Sequence, residues 1–181
     1  MNQGLIPRRY AKALYKFALE KDADRRIYAL EGNLIEGFLA EPALNNAMAN
    51  PYVSTADKMA LLSTAAQAGK DDKVFSDFIL LLGQNNRLAF ARDIAVAYRD
   101  IYRKANHIRR VTVVSAQKLD PAQEQRLKSF IQKHLGDDKM EYSSAINPEL
   151  IGGFTVSIDN ERLDASLSNE LNLLRQNLIS E

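Results

Sequence analysis

A chain of 181 residues can bury one large core or two small ones, and 46% hydrophobic with 26% charged residues is the balance of an ordinary globular protein, which argues against disorder. The formal net charge is only +1, divided as 15 Lys+Arg against 12 Asp+Glu in residues 1–106 and 9 against 11 in residues 107–181, so neither half is built to grip nucleic-acid phosphate. No cysteine is present, which excludes disulfides, thiol nucleophiles and Cys-ligated metals and suits a reducing compartment; no apolar run nears ~18 residues and the start Met1-Asn2-Gln3-Gly4 is not that of a signal peptide, so an intracellular bacterial protein or a mature organellar one, without lipid insertion, is expected.

From Pro7 to about Asn106 the apolar residues recur at helical spacing, and six helices are predicted. The first runs from Pro7, a favoured first-turn residue, to about Lys21, and the second from about Asp24 to Leu39, before Pro42. A short third helix follows Pro42 and is stopped by Asn50-Pro51. Ser54-Thr55 opens the fourth, which Gly69 is expected to end. Asp71-Asp72 starts the fifth, Gly83 to Arg87 breaks it, and the sixth continues from Leu88 to about Lys104. Such short connections favour an antiparallel bundle.

At His107 the period changes. Ile108 to Ser115 is dense in β-branched residues and reads as a strand. Asp120-Pro121 then starts a helix ending near Gly136, and Met140 to Ile146 and Phe154 to Ile158 read as two further strands, the second bounded by Gly152-Gly153 and Asp159-Asn160. A last helix is expected from Asp164, placing Leu163, Leu167, Leu171, Leu174 and Leu178 along one seam packed on the small sheet. The fold class is therefore mainly α: a six-helix bundle over residues 1–106 followed by a small α+β domain over residues 107–181.

The supply of catalytic groups is poor. His107 falls at the domain junction and His134 near a helix end, both ordinary places for surface or capping histidines. Asp71-Asp72 and Asp137-Asp138 sit at helix starts and turns and read as solvated caps rather than acid/base pairs. No phosphate loop, dinucleotide fingerprint or nucleophile elbow occurs. Gly152-Gly153 runs straight into a strand, which suits a turn or bulge, and Arg109-Arg110 reads as part of a solvated edge strand. No catalytic, metal or cofactor residue and no cofactor is assigned.

The first helix carries more apolar surface than one core covers: Tyr10, Ala11, Ala13, Leu14, Tyr15, Phe17, Ala18 and Leu19 span about 240° of its circumference. In the fifth, Val74, Phe75, Phe78, Ile79, Leu81 and Leu82 span about 160°. Either both helices are central in the bundle, or they flank a groove that takes an amphipathic partner helix.

Two stretches carry a resemblance. Arg9-Tyr10-Ala11-Lys12-Ala13-Leu14-Tyr15-Lys16-Phe17-Ala18 resembles the first helix of the F-type ATP synthase delta subunit family, bacterial relatives of the mitochondrial oligomycin-sensitivity-conferring protein. Asn147-Pro148-Glu149-Leu150-Ile151-Gly152-Gly153-Phe154-Thr155-Val156, followed by Arg162-Leu163-Asp164-Ala165-Ser166-Leu167, resembles that family's C-terminal signature, with Ile151, Gly152, Gly153, Phe154, Asp164 and Ser166 as its structural positions. The resemblance implies a non-catalytic stator subunit. Its bundle would hold N-terminal helical segments of the alpha subunits of the catalytic head, in a groove formed by Tyr10, Ala11, Leu14, Tyr15 and Ala18 with Phe75, Phe78, Ile79 and Leu82. Its second domain would bind the C-terminal end of the peripheral-stalk b subunits, and the protein would lie at the cytoplasmic face of the bacterial plasma membrane, held there by the complex. Without the resemblance, a helical adaptor of another complex fits the same pattern.

Overall fold

The computed structural model describes residues 4–69, 71–148, 150 and 152–166. The chain forms two compact units that divide after Ala105. In the first, α1 (Leu5–Glu20), α2 (Asp24–Ala40), α3 (Ala43–Ala49), α4 (Thr55–Ala65), α5 (Lys73–Gln84) and α6 (Ala91–Ala105) follow in order, with a 3-10 turn over Leu88–Phe90 leading into α6. Each helix buries one stripe. On α1 it is Pro7, Ala11, Leu14 and Ala18, a spacing that stays on one line of the helix surface. On α6 it is Ala91, Ile94, Ala95, Ala97, Tyr98 and Tyr102, and on α2 Ile27, Leu30, Glu31, Leu34 and Phe38. Helices α1 and α2 both lie along α6, while α5 packs mainly on α4.

In the bundle, α4 has a side-chain cap at its start. The Asp57 amide donates to Ser54 Oγ at 3.1 Å, satisfying a first-turn donor of α4. One end differs from the expectation: helix α4 stops at Ala65, before Gly69, while α5 ends at Gln84, inside the Gly83–Arg87 break. The left-handed residues after α1, α4 and α5 are Asp22, Gln67 and Asn86, with φ of 51°, 55° and 55°. In each case the next amide reaches back five residues: Ala23 to the Ala18 carbonyl, Ala68 to Ser63, and Arg87 to Leu82. These are Schellman closures built without glycine. Gly83 serves packing instead, since a Cβ there would lie 3.0 Å from Met59 Sδ and 3.2 Å from Thr55 Cγ2.

The second unit contains β1 (Ile108–Ser115), α7 (Pro121–Leu135), β2 (Lys139–Ile146), β3 (Gly153–Ile158) and β4 (Glu161–Ser166). Its sheet has the order β2-β1-β3-β4. Strand β1 pairs parallel with β2, as the α7 crossover requires, and antiparallel with β3. Pro121 opens α7, and the Asp120 amide donates to Gln123 Oε1 at 3.2 Å. Val111, Val113, Ile131 and Val156 form the buried centre, with Leu127, Met140, Tyr142, Phe154 and Ile158 around them.

Two expectations are corrected here. No helix starts at Asp164: residues 161–166 return antiparallel along β3, with Ile158 opposite Glu161 and Gly153 opposite Ser166. The cause is Asp159. It adopts φ 50°, its amide donates to the Arg110 carbonyl at 2.9 Å and its Oδ1 accepts the Arg110 amide at 3.1 Å, so a tight turn reverses the chain. Leu163 therefore sits in a strand and is 62% exposed, while Leu167, Leu171, Leu174 and Leu178 lie outside the described residues. Strand β1, read as an edge, is internal to the sheet.

Candidate partner-binding site

The nine groove residues separate into two groups. Ala11, Leu14 and Ala18 of α1 and Phe75, Phe78, Ile79 and Leu82 of α5 are buried in the bundle core, whereas Tyr10 and Tyr15 are half-buried. Helices α1 and α5 meet only over a short stretch. The seven buried residues thus act first as core, and can serve a partner only as the floor of a depression.

Tyr15 turns toward α6. Its ring meets Tyr98 and Tyr102 edge-on, with centroids at 6.0 and 6.4 Å. Tyr28 of α2 stacks on Tyr102 at 4.3 Å, and Arg99 and Arg103 of α6 both donate to the Tyr28 hydroxyl, at 3.2 and 3.1 Å. The Tyr98 hydroxyl donates to the Asp24 carbonyl at 3.0 Å. Burial pushes the Tyr98 phenol up, with Asp24 and Glu31 adding to the shift, so the ring is a neutral donor that ties α6 to the start of α2.

Tyr10 lies on the other flank of α1. At helical spacing Ile6, Tyr10, Ala13 and Phe17 fall on one line beside the buried stripe; Ile6 and Ala13 are exposed, Tyr10 and Phe17 half-buried. Val74 and Leu81 make a similar flank on α5, with Leu81 43% exposed. Ile6, Ala13, Phe17, Val74 and Leu81 are absent from the groove set read from sequence. The wide apolar arc already held the signal: removing the strip packed on α6 leaves this one. Arg8, Arg9, Lys12 and Lys16 are exposed on the remaining surface of α1, so the flank is bordered by positive charge. Such a surface can take the apolar face of an amphipathic helix.

The residues read as solvated are engaged elsewhere. Asp72 accepts both Nε and Nη2 of Arg26 at 2.8 and 2.9 Å and the Gly69 amide at 2.7 Å. The Arg26 hydrogen bond holds the Asp72 carboxyl below its usual range, with the Gly69 amide assisting. Asp72 is therefore a cross-helix anchor rather than a solvated cap. Arg109 bridges Asp138 at 2.9 Å and Asp159 at 3.0 Å, gathering the ends of β1, α7 and β3, and His107 approaches Asp138 at 3.5 Å. Arg109 is thus a structural clamp, not a free edge charge. His134 is exposed on α7. Among the described residues no group of His, Asp and Glu is placed to hold a metal ion. A pocket of about 120 Å³ beside Met48, Thr55, Lys58, Gly83 and Asn86 is well below the roughly 300–1,000 Å³ of small-molecule sites.

Of the C-terminal signature, Gly153 has φ 80° where the chain enters β3, a conformation that favours glycine, and Phe154 packs against the core of its unit. Asp164 and Ser166 lie in β4, opposite Thr155 and Gly153. Ile151 is outside the described residues.

The profile of the family described as ATP synthase delta (OSCP) subunit matches residues 6–178. The "ATP synthase subunit delta" of Bacteroides thetaiotaomicron is 35% identical over 182 residues, covering 100% of this chain and 97% of that protein. That of Parabacteroides distasonis is 37% identical, covering 99% and 98%, and that of Solidesulfovibrio magneticus 32% identical, covering 98% of each. Among solved structures, a chain of the Toxoplasma gondii mitochondrial ATP synthase hexamer has the same fold, with a TM-score of 0.73 at 21% identity over 97% of this chain and 98% of that one.

Proposed function

The chain belongs to the ATP synthase delta (OSCP) subunit family, and from that premise we propose how it performs its work as a non-catalytic stator subunit of an F-type ATP synthase. Residues 5–20 and 73–84 receive N-terminal helical segments of the alpha subunits, and the unit that starts at Asn106 binds the C-terminal end of the b subunits. The protein then lies at the cytoplasmic face of the bacterial plasma membrane, held by its partners rather than by lipid; no helix among the described residues is long and apolar enough to cross a membrane. Full-length family membership removes the rival reading as an adaptor of an unrelated complex.

A rotary motor does work only if its catalytic head is held against the torque of the rotor. The holding subunit must bind at both ends and needs no reacting groups. The observation that carries the alpha-binding reading is the flank of Ile6, Tyr10, Ala13 and Phe17, left half-covered beside a closed core on a helix edged with Arg and Lys. Burying two or three large side chains against it contributes several kcal/mol, at about 1.5 to 3 each. Ordering a flexible tail offsets part of that, so acidic groups on the partner facing Arg8, Arg9, Lys12 and Lys16 are needed to make the tether firm.

The test is calorimetry of the full chain with a peptide from the N-terminal end of the alpha subunits. Tyr10→Asp is expected to weaken binding at least about tenfold, which is about 1.4 kcal/mol, and Tyr10→Phe to bind nearly as the parent does. Because Tyr10 is only half-buried, both variants should melt close to the parent. Unchanged affinity in Tyr10→Asp overturns the assignment of this flank.

A further inference from the structure

We propose that the groove between α7 and the edge strand β4, lined by Phe130, Phe154, Ile158 and Leu163, takes one amphipathic helix with an acidic flank, which on the stator reading is the C-terminal end of a b subunit. The inference deepens that reading and rests on it.

The groove follows from how one helix covers a four-stranded sheet. Three strand spacings set the outer strands about 14 Å apart, whereas a helix with its side chains is about 10 Å across. Among the described residues of this unit α7 is the only helix, and it packs mainly on β2. Two of its residues fix how it is turned. Ile131 enters the core with Val111, Val113 and Val156, and Lys128 Nζ lies 4.3 Å from the centre of the Tyr142 ring on β2. At about 100° per residue, Phe130 falls on the flank opposite Lys128, so it projects over the β3–β4 side of the sheet, where it is 68% exposed. Across from it, Leu163 of β4 pairs with Val156 and shares its face, yet Val156 is 4% exposed and Leu163 62%. Phe154 and Ile158, on the same face of β3, lie half-buried between these two walls.

Apolarity and charge together select the occupant. Phe130, Ile146 and Leu163 are the large apolar side chains left exposed among the described residues of this unit, and two of the three flank this one groove. Arg126 and Lys133 lie about one turn to either side of Phe130 and are both exposed, which makes the α7 wall basic; the acids Asp137 and Glu161 stand only at the end nearest the β3–β4 turn. A helix laid beside α7 at the usual 8–10 Å sits about two strand spacings over, above β3 and β4, and so fills the uncovered part of the sheet. It would set an aliphatic stripe on Phe130, Leu163 and the floor, and acidic groups against Arg126 and Lys133. A second copy of this chain fits poorly, because a two-fold contact through α7 brings the same basic residues face to face.

The test is calorimetry of the full chain with a peptide from the C-terminal end of the b subunits. Phe130→Asp and Leu163→Asp are each expected to weaken binding at least about tenfold and Phe130→Leu by less than about threefold, and because both positions are exposed all three should melt close to the parent. Should an aspartate disturb the fold, Arg126→Glu with Lys133→Glu decides, with a loss of at least about tenfold expected. The chain contains no cysteine, so Leu163→Cys reports on the groove alone. It should react readily with a maleimide in the free chain and at least about tenfold more slowly once the b peptide is saturating, while Ile146→Cys on the far edge strand keeps its rate. Unchanged b affinity in these variants overturns the groove and leaves the stator reading standing, whereas a parent chain that does not bind the b peptide overturns both. Leu163→Cys already protected in the free chain, whether by another segment or by a second copy, also overturns the proposal.

Discussion

Glu31 is 1% exposed on the packed face of α2, which it shares with Ile27 and Leu34, and lies close to Tyr98 of α6. Burial pushes its carboxyl up to about 8, so the folded chain holds a proton that the unfolded chain releases near pH 4.5. A carboxyl raised in this way leaves stability untouched below its unfolded value and lowers it as pH rises, by about 1.4 kcal/mol per unit, until the folded value is passed. Glu31→Gln keeps the shape and removes the proton. It is expected to match the parent at pH 5 and to exceed it in stability at pH 8 by up to a few kcal/mol, measured by urea unfolding at the two pH values. A parent that is as stable at pH 8 as at pH 5 contradicts the assignment. This residue was not legible in the sequence, where a lone Glu in an amphipathic helix looks like any other surface acid. Tyr10 was legible, because an aromatic outside the packed stripe shows in the helical projection. Tyr15 was legible as apolar but not as facing α6, since its position rests on Tyr98 and Tyr102, more than eighty residues away in the chain.

Among the elements, the six helices of the bundle and three of the four strands follow from local pattern, whereas the end of α4 does not. Gly69 looks like its terminator, yet α4 closes on Gln67, whose left-handed geometry is held by the Schellman bonds, while α5 closes within the expected break on Asn86, a residue type that tolerates that geometry. Strand β4 is masked in the sequence because Leu163, although it alternates with Arg162, Asp164 and Ala165, also opens a run of leucines at helical spacing. Its pairing partner is β3, reached through the Asp159 turn, and Asp159-Asn160 is the local signal that could have shown it. Packing between elements makes its own demand at Gly37 of α2, where a Cβ would lie 3.1 Å from Ala65 Cβ and 3.4 Å from the Ala65 carbonyl oxygen of α4. Gly37→Leu should push α2 and α4 apart and cost about 1–3 kcal/mol, read as a lower denaturation midpoint of the chain. Unaltered stability would mean that the two helices do not approach as closely as described.

At the scale of the whole molecule, each unit has its own buried centre: the α1, α2 and α6 stripes with the α5 aromatics in one, Val111, Val113, Ile131 and Val156 in the other. A fragment of residues 1–105 is therefore expected to unfold cooperatively and to bind the alpha N-terminal peptide within about threefold of the full chain, while losing all affinity for the C-terminal end of b. Failure of the fragment to fold, or stalk binding by it, contradicts the division of labour. Family membership supplied the function that physical reading alone left open, because an apolar flank does not name its partner. The central claim, that this chain holds the head at one end and the stalk at the other, is tested most directly by calorimetry in which a peptide from the C-terminal end of the b subunits is titrated into the full chain already saturated with the alpha N-terminal peptide. A stator requires that both bind at once, with the b affinity unchanged by alpha. Displacement of the alpha peptide, or no b binding at all, would contradict the account.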